Sequence, residues 1–362
     1  MALTRRQTLL AALAGPLAGC AGPRPTRLIG AATRDGRPHI VCAELQGGVR
    51  WATPLSFRAH ETLPWGDRLA VLARRPGTEL VVLQQADGEP LARARTEPGR
   101  HLYGHGLWTP DGSHLLTVEN DYERGRGVVV VRDATLRPVA EYASGGIGPH
   151  QLAWLTPGKT VIIANGGLLT HPEQPRKKLN RDDFVSSLVV LDVTDGSLLS
   201  TLEGPVAQAS MRHLTVLDDG RVWVGYQYEG RLPRTVPLVA LFEPRSNTLD
   251  HPEADALTWT RMQHYVASVA AVPGGHVALA TCPRGHCVTV WDLEQMQHLR
   301  THSIRDTAGV DWDVRGQAFA LTSGRGLAGR LPLPELLQGD APVKPHLSVY
   351  RGWQWDNHVT VI

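Results

Sequence analysis

A histidine recurs four times a few residues before a short strand and a tight turn, and this repeat constrains the fold more than any other feature. The four copies contain His60, His105, His150 and His213, as in the segment GHGLWTPDG around His105. Successive copies are 45, 45 and 63 residues apart. A period of about 40–50 residues is typical of β-propellers, whose repeating unit is a four-stranded blade. The sequence therefore predicts an all-β, seven-bladed β-propeller of the YncE- or WD40-like kind.

The two ends of the chain are predicted to build the seventh blade together. The C-terminal segment WDNHVTVI supplies one strand and a fifth histidine, His358, whereas RLIGAAT, HIVCAEL and VRWATPL supply the other three strands. A ring closed by strands from both termini has no free sheet edges that would invite aggregation. We therefore expect a single propeller domain over residues 27–362. The extra residues of the third blade fall at 168–183, where Arg176, Lys177 and Lys178 are expected to lie in a solvated loop.

The N-terminal residues predict export. Residues 1–19 contain a twin-arginine pattern, Arg5-Arg6, followed by an apolar run that is too short to span a bilayer. The segment LAGC resembles a bacterial lipobox, which would make Cys20 a lipidation site and residues 20–26 a short tether. A plain export signal with an incidental cysteine is the alternative. We expect a periplasmic protein that is held at a membrane only through a lipid on Cys20.

Composition argues against nucleic-acid binding. The formal net charge is +2, and Arg5 and Arg6 lie in a leader without acidic residues, so the mature chain is close to neutral. It lacks the basic stripe that nucleic-acid binding requires. We therefore expect no nucleic-acid partner.

Three further cysteines remain, an odd number for an oxidising compartment. Cys282 and Cys287 flank the turn Pro-Arg-Gly-His and are candidates for a disulfide across a hairpin. A metal pair with His286 is the weaker alternative. Cys42 is expected to be a small buried residue of a strand.

Placing the repeated histidines on a propeller gives a candidate site. The innermost strands line the channel, so their first residues are expected at one mouth, together with the ends of the second strands. The candidate metal ligands are His60, His105, Glu119, His150, His213 and His358. The other candidate ligand-binding residues of this mouth are Arg74, Arg75, Asn120, Asp121, Asn165, Gln227 and Glu229. Because a propeller channel is wide, two adjacent histidines with Glu119 are expected to form a metal site more readily than all five histidines. Alternatively, the histidines could brace neighbouring blades through backbone hydrogen bonds.

Several spaced motifs, GRHLYGHG, TVENDYERGRGVV, GIGPHQL, MRHL, YQYEG and the terminal WDNH, resemble an exported bacterial family known as domain of unknown function 1513. Genes of that family often accompany imelysin-type iron-uptake lipoproteins. The resemblance implies a propeller outside the cytoplasm and a part in iron acquisition, and it implies no particular reaction. The segment TCPRGHC departs from the family pattern. More distantly, GPHQL followed by a Pro-Gly turn is similar to the blade motif of lactonase-type propellers.

Three functions are therefore expected in order of preference. The first is a non-enzymatic binding protein that holds a transition metal, iron or copper, and works with an imelysin-type or other periplasmic iron-uptake or redox protein. The second is a lactonase-like hydrolase in which Glu119, His150 and Arg75 supply a base and a charge stabiliser. The third is a protein-interaction platform without a small ligand.

Overall fold

The computed structural model describes residues 25–174, 177–231, 234–337 and 346–362. These residues form 28 strands, which are arranged as seven four-stranded antiparallel sheets, and two short helices. The prediction of an all-β propeller with seven blades is confirmed. The leader, Cys20 and most of the predicted tether lie outside the described residues. The last tether residue, Thr26, is already part of the domain, because its hydroxyl donates a hydrogen bond of 2.7 Å to Asp313.

The strands follow one another blade by blade. The chain begins with β1 (Arg27–Arg34), β2 (Arg37–Glu44) and β3 (Gly48–Pro54). Blade one contains β4 (Ala59–Trp65), β5 (Arg68–Ala73), β6 (Glu79–Gln84) and β7 (Pro90–Arg95). Blade two contains β8 (Arg100–Trp108), β9 (Leu115–Asp121), β10 (Arg126–Arg132) and β11 (Pro138–Ala143). Blade three contains β12 (Pro149–Thr156), β13 (Thr160–Asn165), β14 (Ser187–Asp192) and β15 (Leu198–Glu203).

The second half of the chain continues the pattern. Blade four contains β16 (Ala209–Val216), β17 (Val222–Tyr228), β18 (Val239–Glu243) and β19 (Thr248–Asp250). The helix α1 (Ala256–Arg261) then leads to blade five, with β20 (Ser268–Ala271), β21 (Val277–Cys282), β22 (Cys287–Asp292) and β23 (Gln297–Ser303). Blade six contains β24 (Thr307–Asp313), β25 (Ala318–Ser323), β26 (Leu327–Pro332), the helix α2 (Leu333–Leu337) and β27 (His346–Val349). The last strand is β28 (Trp353–Val361). Neither helix is long and apolar enough to cross a membrane among the residues described.

Blade seven closes the ring in the predicted way. Its strand order is β28-β1-β2-β3, so the C-terminal strand is the innermost one and pairs antiparallel with the first strand of the chain. Leu28 lies opposite Val361, and Gly30 lies opposite Val359. Because β28 also carries His358, this closure brings the C-terminus to the centre of the propeller.

Burial falls from the middle of each sheet to its outer edge. The second and third strands of the blades are buried on both faces, as in β9, β13, β14 and β22. The outermost strands β7, β11 and β15 alternate between exposed and half-buried residues. The Val- and Leu-rich runs of the middle strands are explained by this packing, since each sheet is covered by a neighbouring blade on both faces.

Candidate functional site

All five repeated histidines meet at the centre of the ring. In the order His60, His105, His150, His213, His358 and back to His60, the distances between successive ring centroids are 4.7, 4.9, 4.9, 4.8 and 4.6 Å. The five side chains are 0–8 % exposed. His105 and His358 are also 4.7 Å apart, although blade one lies between their blades. The expectation that the channel is too wide for all five was therefore wrong.

Irregularities of the innermost strands aim these side chains inward. Each histidine-bearing strand shifts register against its neighbouring strand at or beside the histidine. In four blades the shift lies between Ala59 and Thr62, Leu102 and Gly106, Pro149 and Gln151, and Met211 and His213. For His358 the shift lies on the paired strand, between Gly30 and Ala32. A β-bulge bends the strand and re-aims a side chain. The histidines consequently lie inside the channel, below the mouth where the sequence placed them.

Small residues make room for the cluster. Gly104 has a φ of +104°, and a Cβ there would lie 2.5 Å from Cβ of His60. Only glycine combines this backbone conformation with so close an approach. Blade six carries Ala308 and Gly309 in its register shift, and blade five carries Ser268 on β20. The seven inner strands therefore supply five imidazoles and two sets of small side chains.

The ring nitrogens lack the partners that a structural role would require. Nine of the ten are buried without a hydrogen-bond partner among the residues described, and the tenth, Nδ1 of His358, lies 3.4 Å from Oγ of Ser268. An unsatisfied buried polar group costs about 1–3 kcal/mol. Histidines that braced neighbouring blades would use these nitrogens as donors and acceptors, so the geometry gives that alternative no support.

Burial keeps most of these imidazoles neutral. It lowers the pKa of His60, His150, His213 and His358 well below the usual range, and neighbouring histidines and Arg74 or Arg212 lower it further. Neutral imidazole is the form that binds a metal ion. These four histidines are thus held in the protonation state that metal coordination requires.

Two overlapping groups of three histidines have the spacing of a metal site. His60, His105 and His150 form one group, and His105, His213 and His358 form the other; within each, one ligand atom per residue lies within 4.8 Å of the others. A tetrahedral ion with bonds of about 2.0–2.1 Å holds its ligands about 3.4 Å apart. Side-chain rotations that draw the three nitrogens closer together would form a metal site from either group. His105, which belongs to both, is the central ligand candidate.

Glu61 is a neighbour that the sequence analysis missed. Its Oε2 lies 3.0 Å from Nδ1 of His105, outside the angular range of a hydrogen bond, and the Glu61 side chain is 16 % exposed. The same oxygen accepts a long hydrogen bond of 3.4 Å from the backbone N–H of Gly106. The only sequence signal for Glu61 is its position directly after His60.

A small cavity of about 180 Å³ reaches the cluster. His60, His150 and His213 form part of its lining, and the predicted mouth residues Arg74, Arg75 and Gln227 also line it. The lining also includes three cationic side chains that the sequence did not place here: Lys178, Arg212 and Arg284. Of the three residues predicted to lie in a solvated loop, Arg176 lies outside the described residues and Lys177 is exposed. The side chain of Lys178 is only 22 % exposed and pairs with Glu229.

Glu119 does not join the histidines. Its carboxylate accepts a hydrogen bond of 2.6 Å from Arg132 and one of 3.0 Å from the hydroxyl of Thr117. Both partners of the ion pair are 1 % exposed. Glu119 therefore neutralises a buried arginine between β9 and β10, and it lies in neither histidine group. Its assignment as a metal ligand is corrected accordingly.

Four other predicted mouth residues serve local structure. Asp121 pairs with Arg124 and Arg126, and Glu229 pairs with Lys178 beside a neighbouring pocket. The amide of Asn120 donates to the carbonyl of Thr170 at 3.1 Å, and that of Asn165 donates to the carbonyl of Ser144 at 2.9 Å. These residues do not line the cavity above the histidines.

The cysteine pair forms no disulfide in this structure. Cys282 and Cys287 lie directly opposite each other in β21 and β22, as expected, but both are free and buried thiols, as is Cys42. Nδ1 of His286 accepts a hydrogen bond from the backbone N–H of Asp306. Among the described residues, His286 and the two thiols form no group with the spacing of a metal site.

Comparison with known proteins places the chain in one family and one fold. Residues 53–362 match a family model described as "Protein of unknown function (DUF1513)". No curated protein matches the sequence. Hydrazine synthase of Kuenenia stuttgartiensis is 13 % identical with a TM-score of 0.61, covering 80 % of this chain and 87 % of its own. BamB from Moraxella catarrhalis is 13 % identical with a TM-score of 0.53, and the coverage is 94 % and 92 %. The β-propeller domain of Cps50 (Swd1) from Myceliophteria thermophila has a TM-score of 0.58 at 13 % identity, covering 83 % and 94 %. At these identities the likeness concerns the fold alone.

Proposed function

We propose, for a chain that belongs to the DUF1513 family of proteins of unknown function, that the buried histidines bind a first-row transition-metal ion. The observation that carries the proposal is one cluster of five histidines in which nine ring nitrogens are buried without a partner among the residues described. Coordination would satisfy several of these nitrogens at once. The propeller is thus a binding scaffold, and the metal is its cargo or its cofactor.

The donor chemistry selects the kind of ion. Imidazole suits iron, copper, zinc and nickel, whereas calcium and magnesium require oxygen ligands. Glu61 is the carboxylate in contact with His105. We take iron and copper as the cargo of first choice, and the resemblance to a family encoded beside iron-uptake lipoproteins supports iron.

The site fits a carrier better than a catalyst. The cavity over His60, His150 and His213 is small, about 180 Å³, compared with the roughly 300–1,000 Å³ of a typical ligand pocket. The lactonase-like alternative assigned the base to Glu119, and that carboxylate is bound to Arg132 at 2.6 Å. A platform that binds only proteins would have no need of an unpartnered histidine cluster.

The cellular setting is part of the proposal. The Arg5-Arg6 pattern and the LAGC segment support export to the periplasm and attachment to a membrane through a lipid on Cys20. An imelysin-type or other periplasmic iron-uptake or redox protein is the proposed partner. The protein would hold the metal during transfer to or from that partner.

Elemental analysis of the exported protein, purified without chelators, tests the proposal. We expect nearly one equivalent of iron or copper, retained in a His276→Ala control whose histidine is exposed on the surface, and lost in His105→Ala/His150→Ala. Circular dichroism and the melting temperature would show that the variant is folded. A metal-free wild-type protein that also takes up no added iron or copper would refute the metal function.

A further inference from the structure

The cavity above the histidines is lined by five cationic side chains, and carboxylates balance only two of them. Nη1 of Arg74 lies 3.0 Å from Oδ1 of Asp356, and Lys178 pairs with Glu229. Arg75, Arg212 and Arg284 have no ion pair with a carboxylate among the residues described. The guanidinium of Arg284 packs over the ring of Tyr265 at 4.3 Å. The cavity therefore carries an excess of positive charge.

Arg212 is the most informative of these residues. It is 2 % exposed, its Nε donates a hydrogen bond of 2.8 Å to the hydroxyl of Ser210, and its Nη2 is buried without a partner in the described part of the chain. Burial and the charge of Arg75 lower the pKa of Arg212 to about 10, so the guanidinium remains charged at neutral pH. A buried charge without a close ion-pair partner is strongly unfavourable, and the more distant Glu229 offsets this cost only in part. This arginine also lines the cavity.

We propose that this cavity binds a small anion with several oxygen atoms, a phosphate or a polycarboxylate, against Arg75, Arg212 and Arg284. Guanidinium groups present forked N–H donors that match such oxygens in pairs. Tyr265, Gln227 and Asn357 add polar groups to the lining. The cavity of about 180 Å³ limits the anion to a small molecule.

The anion site has donors of its own, although it adjoins the metal site. The arginines form their own set of donors, and His105 and His358 do not line the cavity. An anion would offset the positive charge beside a bound metal ion, so each ligand is expected to strengthen the binding of the other by the same factor.

Calorimetric titration of chelator-treated protein tests the proposal. The wild type is titrated with phosphate, with citrate and with sodium chloride at equal ionic strength, and melting temperatures are recorded in the same solutions. We expect saturable binding of phosphate or citrate and none of chloride. Citrate alone would identify a polycarboxylate site, and phosphate alone would identify a phosphate site.

Three substitutions locate the binding. Arg75→Gln and Arg212→Gln are expected to weaken it by about tenfold or more, because each removes charge-assisted hydrogen bonds. Arg93→Gln, an equal charge change on the exposed outer strand of blade one, should leave it unchanged. His105→Ala should also leave anion binding intact, which separates this test from that of the metal function. The proposal would be overturned if chloride gave the same response as phosphate and citrate. It would also be overturned if the wild type and both cavity variants bound the anion with equal affinity.

Discussion

Nδ1 of His105 lies 3.0 Å from a carboxylate oxygen of Glu61, so the most deeply buried imidazole of the cluster is in contact with a negative charge from the neighbouring blade. Carboxylates that accept a hydrogen bond from a metal-binding imidazole orient the ring and raise its basicity, and their loss usually costs 10–100-fold in metal affinity. Glu61 lies at the distance of such a bond from His105. We expect Glu61→Gln to weaken metal binding by that order while the protein stays folded. Competition with a coloured chelator measures the affinity.

The matched control is Glu97→Gln, which makes the same change at an exposed position between blades one and two. It should bind metal like the wild type. If Glu61→Gln also bound like the wild type, Glu61 would have no part in the site.

Replacement of Gly104 by alanine should disturb the cluster. The new Cβ would lie 2.5 Å from Cβ of His60, and the φ of +104° is unfavourable for any other residue. We expect metal stoichiometry to fall and the free energy of unfolding to decrease by more than the roughly 1–2 kcal/mol of backbone strain alone. Gly36→Ala isolates that strain, since Gly36 has a φ of +72° and no atom within 4 Å of the added carbon. Equal losses of stability in the two variants, with full metal content, would contradict this prediction.

The fold was predictable because its signals are local. Each blade repeats the same order of histidine, strand and turn, and the lone C-terminal strand around His358 required three partners that only the N-terminus could supply. The convergence of the five histidines was underestimated, because the register shifts that aim them inward have no separate sequence signal. Glu119 was misassigned for a similar reason: its partner Arg132 lies on the next strand, and the pairing depends on the register of β9 and β10. Arg212 directly precedes His213, but only the structure shows that it reaches the cavity.

The stability of the metal-free protein should fall in mild acid. The pKa values of His60, His150, His213 and His358 are lowered by folding, so below pH ~6.5 the unfolded chain binds protons that the folded protein does not. Burial raises the pKa of Asp311 to about 6, so this group acts in the opposite direction. The folded protein keeps the Asp311 proton to a higher pH than the unfolded chain, and the stability that this adds is lost as the pH rises to about 6. Burial also lowers the pKa values of His101, His251, His298 and His302, which act in the same direction as the cluster histidines. The free energy of unfolding should therefore be lower at pH 5.5 than at pH 7.5.

Denaturant unfolding in the presence of a chelator, repeated at several pH values, measures this dependence. A His60→Asn/His213→Asn variant should show a shallower slope, because two of the cluster histidines no longer titrate. A slope that is equally steep in the variant would assign the acid sensitivity to other residues.

The buried pair of Glu119 and Arg132 should govern stability and leave metal binding unaffected. Nη2 of Arg132 lies 2.6 Å from Oε1 of Glu119, and both side chains are 1 % exposed. The loss of one partner therefore leaves the other as an uncompensated buried charge. We expect Arg132→Met to lower the free energy of unfolding by about 3–5 kcal/mol, and Glu119→Gln/Arg132→Met to recover much of that loss. The double variant, which is the more stable of the two, should retain full metal content, because Glu119 and Arg132 belong to neither histidine group and do not line the cavity. Loss of metal from a folded double variant would show that Glu119 takes part in metal binding, as the sequence predicted.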